Sequence, residues 1–325
     1  MSKNKISSEH HTIPQFYLNN FAKKVEKGYW IYRYNKNLLK ELPDLVKNVG
    51  FIKNFNTIEI EGNKTDIFEK LHNEVFEKGF SNKLEKIVGK IEQYNKCINY
   101  CYNCMSIEWY EKQTISCISY RDKEDISYLL SYFILRSRKL RNVEELFIEK
   151  MKLIHYDMYK ANGITNEEKI QLKIEEYLGN EESVKKEQLY SLFKGKSIVE
   201  LAKIIYNHVW IIGYSDSELL YTSDNGHALT GDGEKSIGYN TYGNVIFFPL
   251  TSKICIIMYD VVKFREVYKD LMFVNLNSIQ INEINKNIVF DGIDEIYSKD
   301  GDWTCLENYY KNNNLPKGHK PYGVY

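Results

Sequence analysis

The chain is poor in the residues that punctuate a backbone and in those that titrate near neutrality: five prolines and seven histidines among 325 residues. It has no apolar run approaching the roughly 20 residues a membrane-spanning helix needs, which argues against a bilayer protein. The opening MSKNKISSEHH lacks the apolar stretch of a secretory leader, so the cytoplasm is the expected location. Neither sign of charge is in excess, since Lys+Arg and Asp+Glu each total 44. A protein that coats nucleic acid by neutralising many phosphates carries a basic surplus. That mode is excluded, and a small local anion site is not. Six cysteines in a chain of this size do not make a disulfide framework.

What is present reads as α+β. The aromatic and β-branched run YWIYRY, the turn residues at 35–37 and the run near LLKEL predict a hairpin, preceded by a short helix PQFYLNNFAKK that opens on Pro14. TIEIE predicts a further strand. Apolar residues then recur at helical spacing over about 66–208, including a long amphipathic segment from about Asp122 to Lys160. Short β-like runs follow (VWIIGY, ELLYTS, HALT, NVIFFPL, KICIIMY), with a late helix near 278–290 and a strand or loop at 293–297. The expectation is a small N-terminal helix-plus-hairpin unit, a helical middle and a C-terminal antiparallel β region. Residues 1–310 would form one compact domain and 311–325 an irregular tail.

Three places can carry chemistry. On the long helical segment, Leu129, Phe133, Leu140, Val143 and Phe147 follow a 4,3 spacing whose gap is filled by Arg136. An arginine on an apolar stripe needs a partner, and guanidinium suits carboxylate or phosphate. A structural role, as an ion pair with a carboxylate from the β region or by snorkelling to the helix rim, is the slightly preferred reading over a ligand. Arg138, Lys139 and Arg141 fall off the stripe and read as a solvated face. YTSDNGHALT crowds Ser223, Asp224, Asn225 and His227 at a strand end, with Asp232 and Glu234 close behind. Asn-Gly is also a hairpin signal, so turn chemistry accounts for this stretch as well as function does. Cys97, Cys101, Cys104 and Cys117 have the cadence of a zinc site. The first three share a helix face, however, where cysteine behaves as a small core hydrophobe, and core packing is the preferred reading.

The scarce histidines and prolines meet in EHHTIPQFYLNNFA, residues 9–22. His10 and His11 precede the Pro14 helix, and histidine serves as acid, base or metal ligand near neutral pH. This stretch resembles the N-terminal signature of the domain-of-unknown-function 4238 family, H-x-x-P-x-F-Y-L-x-x-F-A. GYWIYRYNK, VKNVGFIKNFNTIE, SYFILRSRK, TSDNG, FFPLTSK and FVNLNSIQINEINKNIVF extend the resemblance over nearly the whole chain. His11, Pro14, Phe16, Tyr17, Leu18, Phe21, Arg136, Ser223, Asp224, Asn225 and Pro249 match its pattern. Gly226 departs from it, standing where the family usually has proline.

The resemblance implies that His11, Arg136 and Asp224 belong to one pattern, as a composite site would. It brings no settled activity, but it suggests a prokaryotic protein with a role in phage defence or growth arrest. The leading expectation is a hydrolase acting on a phosphodiester in nucleic acid or nucleotide. His11 would be the general acid/base and Arg136 the phosphate clamp, while Asp224 would orient His11 or hold a divalent metal. His10, Gln15, Ser223 and Asn225 would contact substrate. The alternatives are a non-enzymatic module that binds a small anion or nucleotide, and a structural His/Arg/Asp network with no catalytic role.

Overall fold

Strands from distant parts of the sequence lie side by side, so the N-terminal hairpin is built into the C-terminal half. The computed structural model describes residues 8–60, 62–104, 116–217, 219–231 and 238–312, with backbone only at 100–104. The N-terminal part runs β1 (Glu9–His11), α1 (Gln15–Leu18), β2 (Lys23–Val25), β3 (Gly28–Asn35), β4 (Lys40–Glu41), β5 (Asp44–Leu45), β6 (Phe51–Lys53), β7 (Ile58–Ile60) and β8 (Asn63–Thr65). The helix expected through Lys24 is shorter. It is one α-turn and a 3-10 turn, after which Ala22 is extended (φ −124°, ψ 159°). Lys23–Val25 instead pairs with Gly28–Trp30, closing on a two-residue turn that Gly28 accommodates at φ 135°.

The middle comprises α2 (Ile67–Leu71), a π-helical segment His72–Glu77, α3 (Lys78–Cys104), α4 (Tyr120–Arg136), α5 (Arg138–Ala161), α6 (Glu167–Leu178), α7 (Glu181–Lys194) and α8 (Lys196–Tyr206). The segment read as one helix over 122–160 is two. Ser137 leaves helical geometry (φ −64°, ψ 145°), and its hydroxyl accepts from the Leu140 amide at 3.1 Å, capping α5. Gln188 of α7 donates to the carbonyls of Leu135 and Ser137, both at 3.0 Å, which satisfies the Leu135 acceptor that the break leaves over and adds to the Arg141 amide on Ser137. The apolar stripe ends there as well. Leu129 and Phe133 are buried, whereas Val143 and Phe147 are exposed.

The C-terminal part contains β9 (Val209–Tyr214), β10 (Thr222–Ser223), β11 (Ala228–Thr230), β12 (Val245–Pro249), β13 (Ile254–Tyr259), α9 (Val261–Phe264), β14 (Met272–Asn275), α10 (Ser278–Asp291), β15 (Glu295–Ser298) and α11 (Thr304–Asn312). Strands β11-β12-β13-β9-β14 form a sheet that is antiparallel except for β14, which runs parallel to β9. Neither β14 nor α11 was expected. The C-terminal region is therefore mixed rather than purely antiparallel, and the tail lies outside the described residues from 313 onward. β15 pairs with β3 on one side and β10 on the other. One buried cluster joins Tyr17 and Phe21, Phe133 of α4, and Trp210 and Phe248 of the C-terminal sheet. The fold is α+β, and no helix among the described residues is long and apolar enough to cross a membrane.

Candidate functional site

Arg136, the last residue of α4, is 1% exposed and looks back into the helical middle. Its Nη1 donates to Glu77 Oε1 at 2.7 Å and to the Tyr132 hydroxyl, and its Nη2 donates to the backbone carbonyl of His11. Glu69 Oε2 stands 3.8 Å from Nη2. Burial works against this charge, but Tyr132, Glu77 and Glu69 outweigh it and raise the pKa. The Tyr132 hydroxyl continues to His72 Nδ1 at 3.2 Å, and burial keeps the His72 imidazole neutral. Glu69 also accepts from Asn56 Nδ2 at 2.7 Å, and the Asn56 amide donates to His10 Nδ1 at 2.7 Å. His10, with no exposed surface, belongs to this internal chain of hydrogen bonds.

His11 sits at the rim of the same cluster and is partly exposed. Gln15 Nε2 lies 2.7 Å from His11 Nε2. An amide nitrogen only donates, so Nε2 accepts and the ring proton sits on Nδ1. Burial lowers the His11 pKa; Glu69 and Glu77 oppose that shift, and Arg136 adds to it. The resting imidazole is neutral at pH 7, with two carboxylates in its field that would stabilise the protonated form. β1 fixes its backbone through pairing with β6, His11 opposite Phe51.

Asp224 lies elsewhere. Its carboxylate accepts from the amides of Ile293 (2.8 Å), Asp294 (2.8 Å) and Glu295 (3.3 Å), which pins the chain entering β15. Burial pushes its pKa up to about 6 against those donors. Ser223 Oγ accepts from the Asn225 amide at 3.2 Å. The Asn225 side chain donates to the His227 carbonyl and to Asp291 Oδ2 (3.1 Å). Ser223 and Asn225 are both buried. His11 and Arg136 are thus in contact, though through the histidine's backbone, and no hydrogen bond or ion pair joins either to Asp224. Asp232 and Glu234 lie outside the described residues.

The cations read as a solvated face are not one. Arg138 pairs with Asp294, Lys139 pairs with Asp291, and Arg141 is buried. After the break at Ser137, Arg138 and Lys139 reach the end of α10 and the residues just past it, and Arg141 reaches Gln188 of α7 and the Phe55 carbonyl. Sequence reasoning also missed Glu69, His72, Glu77 and Tyr132. Only Tyr132, four residues before Arg136 on one helix face, left a readable signal. Of the cysteines, Cys97 is exposed and Cys117 buried, and the side chains of Cys101 and Cys104 lie outside the described residues. Among the described residues, no three or more His, Cys, Asp or Glu are grouped to hold a metal ion.

Tyr17 binds the separate motifs together. Its buried hydroxyl is 2.6 Å from the Pro249 carbonyl, 2.9 Å from that of Gly226 and 2.8 Å from Thr222 Oγ1. Gly226 has φ +73°, which proline cannot adopt, and a Cβ there would meet Phe133 at 2.9 Å. The site is therefore that of an α+β protein whose N-terminal histidine turn is clamped by a helical arginine and a buried tyrosine. The chain belongs to the family described as Protein of unknown function (DUF4238), whose model matches residues 9–302. No solved structure matches the chain.

Proposed function

We propose that the chain is a hydrolase acting on a phosphodiester, with His11 as its proton-transfer group. The observation that carries this reading is the state of His11: partly exposed, lowered in pKa, hydrogen-bonded to Gln15, and within the field of Glu69 and Glu77. A neutral imidazole takes a proton from water as its oxygen bonds to phosphorus and the ester P–O bond breaks; the imidazolium, stabilised by the nearby carboxylates, then returns the proton to the leaving alkoxide. The lone pair for that step is on Nε2, where the Gln15 amide now donates, so the water would take the place of Gln15. Arg136 is a positioning residue here, since its guanidinium is engaged and sealed from solvent. Asp224 positions the chain before β15.

A second reading has its own support. The enclosure of Arg136 and the saturation of Asp224 by three amides fit a structural network with no catalytic role. The two readings divide on His11→Ala. Hydrolysis of bis-p-nitrophenyl phosphate and of a nucleotide panel, with and without Mg²⁺ or Mn²⁺, should fall about 10²-fold or more in His11→Ala at unchanged melting temperature. Unchanged hydrolysis in that variant, or none by the native chain, leaves the structural reading.

A further inference from the structure

A cleft of about 830 Å³ opens between β6, the first turns of α5 and the start of α7, within the size range of small-molecule sites. Five cations line it: Lys53, Arg138, Arg141, Lys152 and Lys185. Three carboxylates accompany them: Glu145, Glu181 and Glu182. The charges are not matched in pairs. Glu182 is turned toward β7, where it accepts from the Glu59 amide at 2.9 Å. Arg138 is satisfied by Asp294.

Arg141 is the anomaly. It is 6% exposed, yet among the described residues no carboxylate forms an ion pair with it. Its Nε donates to Gln188 Oε1 at 2.6 Å, and its Nη1 donates to the Phe55 carbonyl at 2.6 Å. The guanidinium lies over the Phe55 ring, 3.6 Å from its centre, and Nη2 makes no hydrogen bond. Burial draws its pKa down to about 10, with Glu145, Glu144 and Glu182 offsetting only part of that cost. Lys185 faces the same cleft, with its ammonium 3.0 Å from the Asn54 carbonyl and likewise no carboxylate partner among the described residues. Burial lowers the Lys185 pKa; Glu182 and Glu145 oppose that shift, and Arg141 and Lys64 add to it. The cleft carboxylates offset only part of this, and Nη2 of Arg141 stays a buried donor with no acceptor, a cost that an anionic ligand would relieve.

We propose that this cleft binds a phosphate-bearing small molecule of the nucleoside diphosphate class, with Arg141 and Lys185 as its anchors. With Nε and Nη1 already bonded, Nη2 is the nitrogen left to donate to a phosphate oxygen, from a guanidinium held over the Phe55 ring. Lys185 supplies the second charge that a diphosphate needs, and Asn54, Asn142 and Asn180 are among the residues that line the rest of the cleft. The site is separate from His11, which does not line it.

Isothermal titration calorimetry of the full chain with inorganic pyrophosphate, ADP and adenosine tests this. Pyrophosphate and ADP should bind and adenosine should not. Lys185→Glu, a change at a half-buried rim position, should weaken ADP binding at least tenfold, and Arg141→Gln should abolish it. His11→Ala should leave it unchanged, which keeps this site distinct from the proposed hydrolytic one. The proposal is overturned if neither phosphate compound binds at about 1 mM, if adenosine binds as tightly as ADP, or if Lys185→Glu leaves ADP affinity intact. Loss of folding in Arg141→Gln would leave the Lys185→Glu and ligand comparisons decisive.

Discussion

Arg136 donates to a carboxylate, a phenol and a backbone carbonyl from a position that solvent does not reach. Its role follows from what its removal would strand. Arg136→Met keeps the bulk of the side chain and leaves Glu77 and Glu69 in a half-dry pocket without their cation. The cost of orphaning one member of such a pair is about 3–5 kcal/mol, measurable by urea unfolding at pH 7. Adding Glu77→Met removes one stranded carboxylate and should recover part of the loss, because a buried ion pair exchanged for apolar groups is often close to neutral. A double-mutant cycle with no coupling between positions 77 and 136 would show the pair to be incidental. The sequence pointed to Arg136 because a charge interrupted an apolar stripe. It hid the partners: Glu69 in α2 and Glu77 at the end of the π-helical segment sit more than 58 residues away, where no local spacing marks them.

Between α4 and α5 the decisive feature is a side chain from a third helix. Gln188 donates to the carbonyls of Leu135 and Ser137 and accepts from Arg141 Nε, so one amide closes the helix break and fixes the buried cation beyond it. Gln188→Ala strips the Leu135 carbonyl and Arg141 Nε of their side-chain partner, while the Ser137 carbonyl keeps only the Arg141 amide at 3.4 Å. With unmade buried hydrogen bonds costing ~1–3 kcal/mol each, the expected loss is about 2–4 kcal/mol by chemical denaturation, and Gln188→Leu should be no better despite its volume. A loss below about 0.5 kcal/mol would mean that the break is held by Ser137 alone. This break explains where sequence reading succeeded and where it did not. Strong periodicity located the helical middle, the strands of the C-terminal sheet and the long helix after residue 277. It could not register a serine acting as N-cap inside an apparently continuous pattern. It therefore assigned Arg138, Lys139 and Arg141 to the wrong side of the molecule. Strand β14 escaped for a related reason: four residues, MFVN, with exposed ends, are held by a parallel neighbour rather than by their own alternation.

At the scale of the whole molecule, the segment from Val289 to Glu295 is where the separate parts meet. Lys36, from just after β3, caps the end of α10 by donating to the carbonyls of Val289 (2.8 Å) and Gly292. Lys139 and Arg138 reach Asp291 and Asp294 from α5, while Asp224 and Asn225 reach the same stretch from the β10 turn. His227 lies within this junction, its ring nitrogens 3.0 Å from the Asn225 carbonyl and 2.7 Å from the Tyr239 hydroxyl. Burial pushes its pKa from 6.5 down to about 4, with Asp291 opposing and Lys139 adding to the shift. A group depressed on folding gives stability that is complete above its unfolded value and lost as pH falls through the folded one. His227 therefore destabilises the fold as pH drops from about 6.5 to about 4, by roughly 3 kcal/mol for a shift of that size. His72 and His11 are lowered too and act in the same direction. Asp224 acts in the opposite direction. Raised to about 6, it adds stability that is present at low pH and lost as pH rises through that value, so it offsets part of one histidine between pH 6 and 4. Glu144 and Glu145, raised by burial, act with Asp224, but the deep shifts of His227 and His72 outweigh them, and the midpoint of urea unfolding should fall from pH 7 to pH 4.5. His227→Gln should lower stability at pH 7, where its hydrogen bonds are lost, and flatten the slope below pH 6.5, where there is no longer a buried imidazole to protonate. If the slope stays as steep in that variant, acid lability originates at His72 and the Arg136 cluster, and the junction at 289–295 is not the part of the molecule that acid releases.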